Sequence, residues 1–415
     1  MNKIKLPKGW KYKRLGDMFT FVGGGTPGKA QLDYWNGSLN WASVKDVKGD
    51  FLNSTKDFIT EKGLKNSASN LAEKGDVILI TRISPGKSII TNIRTAINQD
   101  LKIAKPKFKT TPKFIYYFFS AIERDCIKKS SGTTVLGITL NNLNELLIPD
   151  LSLEEQSSIV SKIEELFSEL DKGIEDLKTA QLQLKTYRQA VLKYAFEGKL
   201  TNEKVKDGVL PKGWGIVKIA DVALTYGGYA FKSGEFKSQG KYQVLRMGNV
   251  RPGIVRYDEN PVYFDEVDQS ILNRSLLKIN DVIITQTGTR KKRDYGFTTL
   301  ISKDNLLLNQ RIASIRFGDK YSPKFFLYYS WTDLFKDQFF ANETGNVGQG
   351  NVGMKAVTET LIPNPSYEEQ HQIVQEIESR LSVADKMEES ITQSLQQAEA
   401  LRQSILKKAF SGESV

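Results

Sequence analysis

Residues 21–30, FVGGGTPGKA, place Gly23 and Gly28 with four residues between them and follow the second with Lys29. That spacing belongs to loops whose backbone amides cradle phosphate while the lysine reaches the outer phosphates of a nucleotide. Such a loop next needs a Ser or Thr hydroxyl for Mg²⁺, and here the position is Ala30. It must also open a helix, which QLDYWNGSLN (31–40) does not resemble. The second half of the chain keeps only Gly227 and Gly228, before YAFKSG. The feature common to both halves is a glycine turn after a strand, so ATP binding is not expected there.

Other catalytic chemistry is sparse. One cysteine, Cys126, and one histidine, His371, exclude a disulfide framework and a Cys/His metal cluster within the chain, and leave almost no histidine acid–base chemistry. NPSY (364–367) approaches the Asn/Asp-Pro-Pro-Tyr/Phe signature with which adenine methyltransferases hold their target base. Its counterpart, DLSL (150–153), also stands at a helix start, so capping explains both, and no glycine fingerprint for S-adenosylmethionine accompanies them. His371 aligns with Ser157 and reads as a surface residue. No cofactor is expected.

The positioning elements come in two copies. At 415 residues the chain has room for two or three domains. LPKGW occurs at 6–10 and again at 210–214. From residue 147 to 198 the chain matches 361–412 without a gap, with 23 of 52 positions identical. Between these echoes the likeness is one of outline: KGDVILIT with INDVIIT, INQ with LNQ, and TPKFIYYFF with SPKFFLYYS. The expected organisation is a globular unit over 1–146, a long helix and linker over 147–209, a second globular unit over 210–360 and a second long helix over 361–415.

Ile163, Leu170, Leu177, Leu184 and Val191 fall seven apart, with Ile159, Leu166, Ala180 and Tyr187 at the other seam position. A heptad sustained over about five repeats predicts a coiled-coil helix. The second copy offers Ile377, Ala384, Ile391, Ala398 and Ile405, a seam alternating large with small that suits a leucine-rich partner. Ser152 with Glu155 and Ser366 with Glu369 predict capping boxes, and Gly198 and Gly412 predict C-terminal caps. A helix from 152 to 197 spans roughly 65–70 Å at ~1.5 Å per residue. The second must run back if the seams are to meet. An antiparallel pair with a globular unit at each end, related by a pseudo-two-fold axis, is expected, a geometry suited to two half-sites on one duplex.

Charge follows the same division. Residues 1–146 carry 24 basic and 12 acidic side chains and residues 210–360 carry 21 and 15, whereas the long repeats are net acidic. Basic globular units imply a polyanionic partner. Short β-branched runs such as DVILIT and DVIITQTGT predict strands, and each unit has a proline-initiated helix at Pro112 or Pro323, giving a mixed α/β (α+β) fold. The aromatic run from Phe114 reads as helix core. The loop TGTRKKRDYG presents Arg290, Lys291, Lys292 and Arg293 directly after a strand, and Arg82 and Lys87 hold the corresponding place in the first unit. Lys29, Lys45, Arg94, Lys232, Arg246 and Arg251 complete the candidate DNA contacts.

GGTP followed by YWNGSLNW (34–41), the LPKGW openings, the EEQ..IV..I helix starts and the LKKAFSG ending together resemble the specificity subunits of type I restriction-modification systems. The resemblance covers nearly the whole chain. It implies two target recognition domains, each reading half of a split double-stranded DNA target. It also implies helices that fix the spacer and bind the methyltransferase subunits of a complex that includes restriction subunits. Catalysis, S-adenosylmethionine, ATP and Mg²⁺ would belong to those partners. Because the two units differ in surface, the expected target is asymmetric.

Two other classes are weighed against this reading. An enzyme lacks its motif residues, as above. The other is an architectural protein that clamps nucleic acid without sequence preference, and competition binding against random duplex at fixed salt separates it, because a nonspecific clamp shows no specificity ratio. With no apolar run near the ~20 residues of a membrane span and no signal-peptide core at the start, a cytoplasmic location is expected.

Overall fold

The computed structural model describes residues 10–202, 205–206 and 209–413; residues 6–9 of the first LPKGW segment lie outside the described residues. Two compact units emerge, one formed by residues 1–178 with 392–415 and the other by 179–391. Each unit draws part of both long helices into its own core, so a boundary placed at a helix end would cut through packed side chains.

In the first unit a five-stranded sheet runs in the order Phe19–Gly23, Leu101–Pro106, Val77–Ile80, Ser88–Thr91, Phe51–Leu52, antiparallel except for its last pair. The run VILI at 77–80 does not alternate because both faces of its strand are covered. Val77 and Leu79 pack with Phe114 and Phe118 of the helix Pro112–Lys128. Ile78 and Ile80 pack with Ala42, Leu52 and Ile97 on the opposite side. There lies the second sheet, in the order Asp57–Ile59, Trp35–Ala42, Thr95–Ile97, Leu71–Ala72. Burial of side chains this size stabilises by about 1.5–3 kcal/mol each.

The second unit repeats the plan. Its sheet orders Ala223–Gly227, Ile312–Phe317, Val282–Thr285, Thr298–Leu300. Val282 and Ile284 face Phe325, Phe326 and Phe335, while Ile283 faces Leu245, Leu306 and Leu308. Where the first unit has one 17-residue helix, the second breaks it in two, Pro323–Tyr329 and Asp333–Ala341, because Thr332 caps a new N-terminus by accepting from the Phe335 amide at 3.3 Å. It also extends into a small sheet of Thr287–Thr289, Gln349–Asn351 and Thr344–Gly345 what the first unit keeps as single antiparallel bridges of Gly137 with Arg82 and Ser131.

The long helices are Leu153–Phe196 and Tyr367–Ser411. Asp171 pairs with Arg402, Arg188 with Asp385 and Glu388, and Thr201 with Glu369, so partner numbers fall as chain numbers rise and the helices are antiparallel. Ile163 and Ile405 are buried in the first unit, Val191 and Ile377 in the second. Tyr187, expected in the seam, is 41% exposed. Ser152 and Glu155 form the reciprocal capping box, whereas the Glu369 carboxylate accepts from Thr201 at 3.0 Å. Gly198 and Gly412 adopt left-handed φ of 73° and 74°, as C-terminal caps require.

Candidate nucleic-acid interface

The glycine turn is built for close approach to a neighbouring strand. A Cβ on Gly24 would lie 2.2 Å from the Asn98 carbonyl oxygen, and one on Gly228 would lie 1.8 Å from that of Asn309. The INQ and LNQ segments are therefore what the glycines pack against. The Gly25 amide donates to Ile97 O at 3.0 Å, and the Gly25 and Gly28 carbonyls accept from the indoles of Trp41 and Trp35 at 3.1 and 3.2 Å. Only a short 3₁₀ turn, Leu32–Tyr34, precedes the strand Trp35–Ala42. With these loop groups already bonded and no helix after them, the segment lacks the cradle of a nucleotide loop.

Lys29 and Lys45 come together on the walls of one hollow of about 790 Å³, which also includes Trp35, Trp41 and Gln99. Arg82 leaves the central sheet beside Asp100, its Nη1 at 3.3 Å from the carboxylate, and the Lys87 backbone N–H closes the same turn by donating a hydrogen bond to Ser84 O at 3.3 Å. Between them Ile83 takes a left-handed φ of 78° and is 57% exposed, an unusual state for a β-branched residue. Arg94 Nε lies 3.2 Å from Glu73.

In the second unit the strand Val282–Thr285 continues through Gln286 into Thr287–Thr289 and then turns sharply. Asp294 closes the turn, accepting from the Thr289 amide and hydroxyl at 2.6 and 3.2 Å, and these bonds hold its carboxyl below the usual range. Lys291 and Lys292 are thrown outward. Arg293, at a φ of 47°, lays its guanidinium over the Phe340 ring at 4.8 Å. Arg290 donates from Nε to Glu343 at 2.9 Å. The other oxygen of Glu343 accepts from the buried Tyr295 hydroxyl, a bond that lowers the carboxyl pKa, and Arg290 reinforces the effect.

Elsewhere in this unit Lys232 is exposed, 3.7 Å from Glu235. Arg246 lies over Phe236 and donates to Asn260 O, while Arg251 donates to Gly248 O and Val250 O at 3.0 and 2.8 Å. The candidates thus divide by chemistry. Each arginine is already oriented by a carboxylate, carbonyl or ring, whereas Lys29, Lys45, Lys87, Lys291 and Lys292 have no ion-pair partner among the described residues. Oriented guanidinium forks suit base edges, and loose ammonium groups suit phosphate.

Three neighbours of these cations escaped the sequence reading. Glu343 and Gln349 sit in ANETGNVGQGN (341–351), whose glycine spacing is itself a hairpin signal. Gln99, which accepts from Thr26, stands beside the recognised INQ segment. The motifs set aside stay outside any site. Asn364 lies in the strand Leu361–Asn364, and His371 is exposed with its ring 4.5 Å from that of Tyr367. Cys126 is buried, and burial pushes its thiol up to about 12. Among the described residues no cluster of three His, Cys, Asp or Glu is arranged to hold a metal, and no helix is long and apolar enough to cross a membrane.

The model of the type I restriction modification DNA specificity domain matches residues 7–179 and again 211–398, most of the chain in two copies. The chain belongs to the type I restriction-modification DNA specificity family. Among relatives in this specificity family, the type I restriction enzyme EcoBI specificity subunit of Escherichia coli is 26% identical over 334 residues, covering 75% of this chain and 68% of its own. The EcoKI specificity subunit of Escherichia coli strain K12 is 26% identical over 429 residues, covering 100% of this chain and 91% of its own. A solved chain described under "Structural basis underlying complex assembly and conformational transition of the type I R-M system" superposes with a TM-score of 0.73. It is 20% identical and covers 99% of this chain and 100% of that one. At that identity the likeness is one of fold, and it matches the two mixed α/β units and long helices of the specificity family described above.

Proposed function

We propose that this chain is the DNA sequence-specificity subunit of a type I restriction-modification complex. Each globular unit reads one half of a bipartite target. The observation that supports this most is the combination of one repeated scaffold with two unlike basic surfaces. The sheets and helices correspond, yet the turn after the central strand holds Arg82, Ile83 and Lys87 beside single bridges to Gly137 in one unit and Arg290 to Arg293 against a fuller, three-stranded hairpin sheet in the other. Duplicated scaffolds with divergent loops fit two different half-sites and hence an asymmetric target.

In this reading the chain carries no reaction itself. Methyltransferase subunits dock on the long helices, restriction subunits join the same complex, and the helix length fixes the unspecified spacer. S-adenosylmethionine, ATP and Mg²⁺ are bound by those partners. Selection from a randomised duplex library by the assembled complex tests the proposal, with enrichment of a split motif with unlike halves expected. Equal retention of all sequences at fixed salt would mark a nonspecific clamp instead.

A further inference from the structure

In the second unit two exposed side chains with complementary base-reading chemistry stand beside one another. Thr289 and Gln349 are direct cross-strand partners in the antiparallel pair of Thr287–Thr289 with Gln349–Asn351, and Arg290 follows Thr289. The Arg290 amide lies 3.4 Å from Gly348 O, which ties the arginine to the same hairpin tip. Gln349 is exposed and has no side-chain hydrogen bond among the described residues. Its backbone is fixed nonetheless, because Asn346 Oδ1 accepts from the Gly348 and Gln349 amides at 3.1 and 2.8 Å. Val347, beside them, is 94% exposed.

Arg290 is only half free. Its Nε–H is committed to Glu343, whose carboxylate side chain is 8% exposed and is held from behind by Tyr295. A guanidinium fixed at Nε keeps its terminal nitrogens as a planar donor pair, the arrangement that meets guanine O6 and N7 together. A glutamine amide, one donor and one acceptor, meets adenine N6 and N7 in the same way. Lys291 and Lys292, exposed and without an ion-pair partner among the described residues, have the chemistry of phosphate anchors. Arg293 is spent on Phe340.

We propose that Arg290 and Gln349 are the base-reading pair of the second unit, for a guanine and a neighbouring adenine, with Glu343 as the positioning residue that aims Arg290 and Lys291 and Lys292 as sequence-blind anchors. This rests on the specificity reading above and assigns roles within it.

The experiment is selection from a randomised duplex library by the complex of this chain with its methyltransferase subunits, followed by competition binding against single-base variants of the enriched motif. Arg290→Lys keeps the charge and removes the fork. It is expected to lower discrimination at one G·C position of one half-site by about tenfold or more, leaving the other half-site unchanged. Glu343→Gln should relax the same position, which a purely structural staple would not do, and Gln349→Ala should relax an adjacent A·T position. Lys291→Ala with Lys292→Ala should weaken all sequences alike. Thermal unfolding of each variant confirms that the second unit is folded. A wild-type motif that survives intact in Arg290→Lys and Gln349→Ala, or an equal loss across all sequences, overturns this inference alone. A wild-type complex that enriches no motif overturns the specificity reading and this inference with it.

Discussion

Arg290 and Glu343, 53 residues apart, meet at 2.9 Å, and the carboxylate that receives the guanidinium is itself bonded to the buried Tyr295 hydroxyl. A cation in a basic loop is thereby converted from a mobile charge into an oriented donor. The Glu343 carboxyl is held below the usual carboxylate range, first by the Tyr295 hydroxyl and then by Arg290.

A depressed carboxyl contributes stability that is present above its unfolded value, about 4.3 for glutamate, and lost as pH falls through the folded value. The wild-type chain should therefore melt at a higher temperature than Glu343→Gln from neutral pH down to about 4.3, with the gap closing as the solution becomes more acidic. Melting curves from neutral pH to well below that value check the sign. A gap that widens in acid would remove Glu343 as a stabilising carboxylate.

Lys291 and Lys292 contribute through counterion release. Replacing both with alanine should flatten the slope of log K against log salt by about 1 to 2 units, at roughly 0.9 for each phosphate that a lysine neutralises. Titrations at several salt concentrations with one duplex measure it. An unchanged slope takes these two lysines out of the interface.

Phe410, near the end of the second long helix, packs its ring 5.4 Å from Phe114 and 5.5 Å from Phe118 in the core of the first unit. Phe410→Ala should destabilise that unit by about 3–5 kcal/mol, read in denaturant melts. A loss under about 1 kcal/mol would mean that the helix end is not part of that core.

Gly228→Ala would bring a Cβ to 1.8 Å from the Asn309 carbonyl oxygen. Backbone cannot yield as a flexible side chain does, so a loss of about 1–3 kcal/mol is expected in the second unit. Wild-type stability in this variant would show that the glycine turn is not needed for close approach.

What the sequence made legible follows from how many residues carried each signal. The seam residues Ile163, Val191, Ile377 and Ile405 repeat a single period over many turns, so the long helices could be read directly, and their buried positions follow. The continuous runs VILI and VIIT, bounded by turn residues, likewise read as strands, and the structure covers both of their faces. Glu343 was not legible because nothing local distinguishes it. Its role depends on Tyr295 and Arg290, brought in by the fold from about 50 residues away. The glycine spacing around Gln349 signals a turn, but its Gly, Asn and Gln residues carry little strand propensity, so the pairing with Thr287–Thr289 that makes it a sheet could not be read locally. The break at Thr332 was hidden by the aromatic run on either side of it.

In the proposed reading, one chain supplies two unlike readers to a methylating complex. Methylome sequencing of cells with and without this gene tests it most directly. One split, adenine-containing motif with different halves is expected to lose its methylation when the gene is removed. An unchanged methylome, or the loss of a contiguous or symmetric motif, would contradict it.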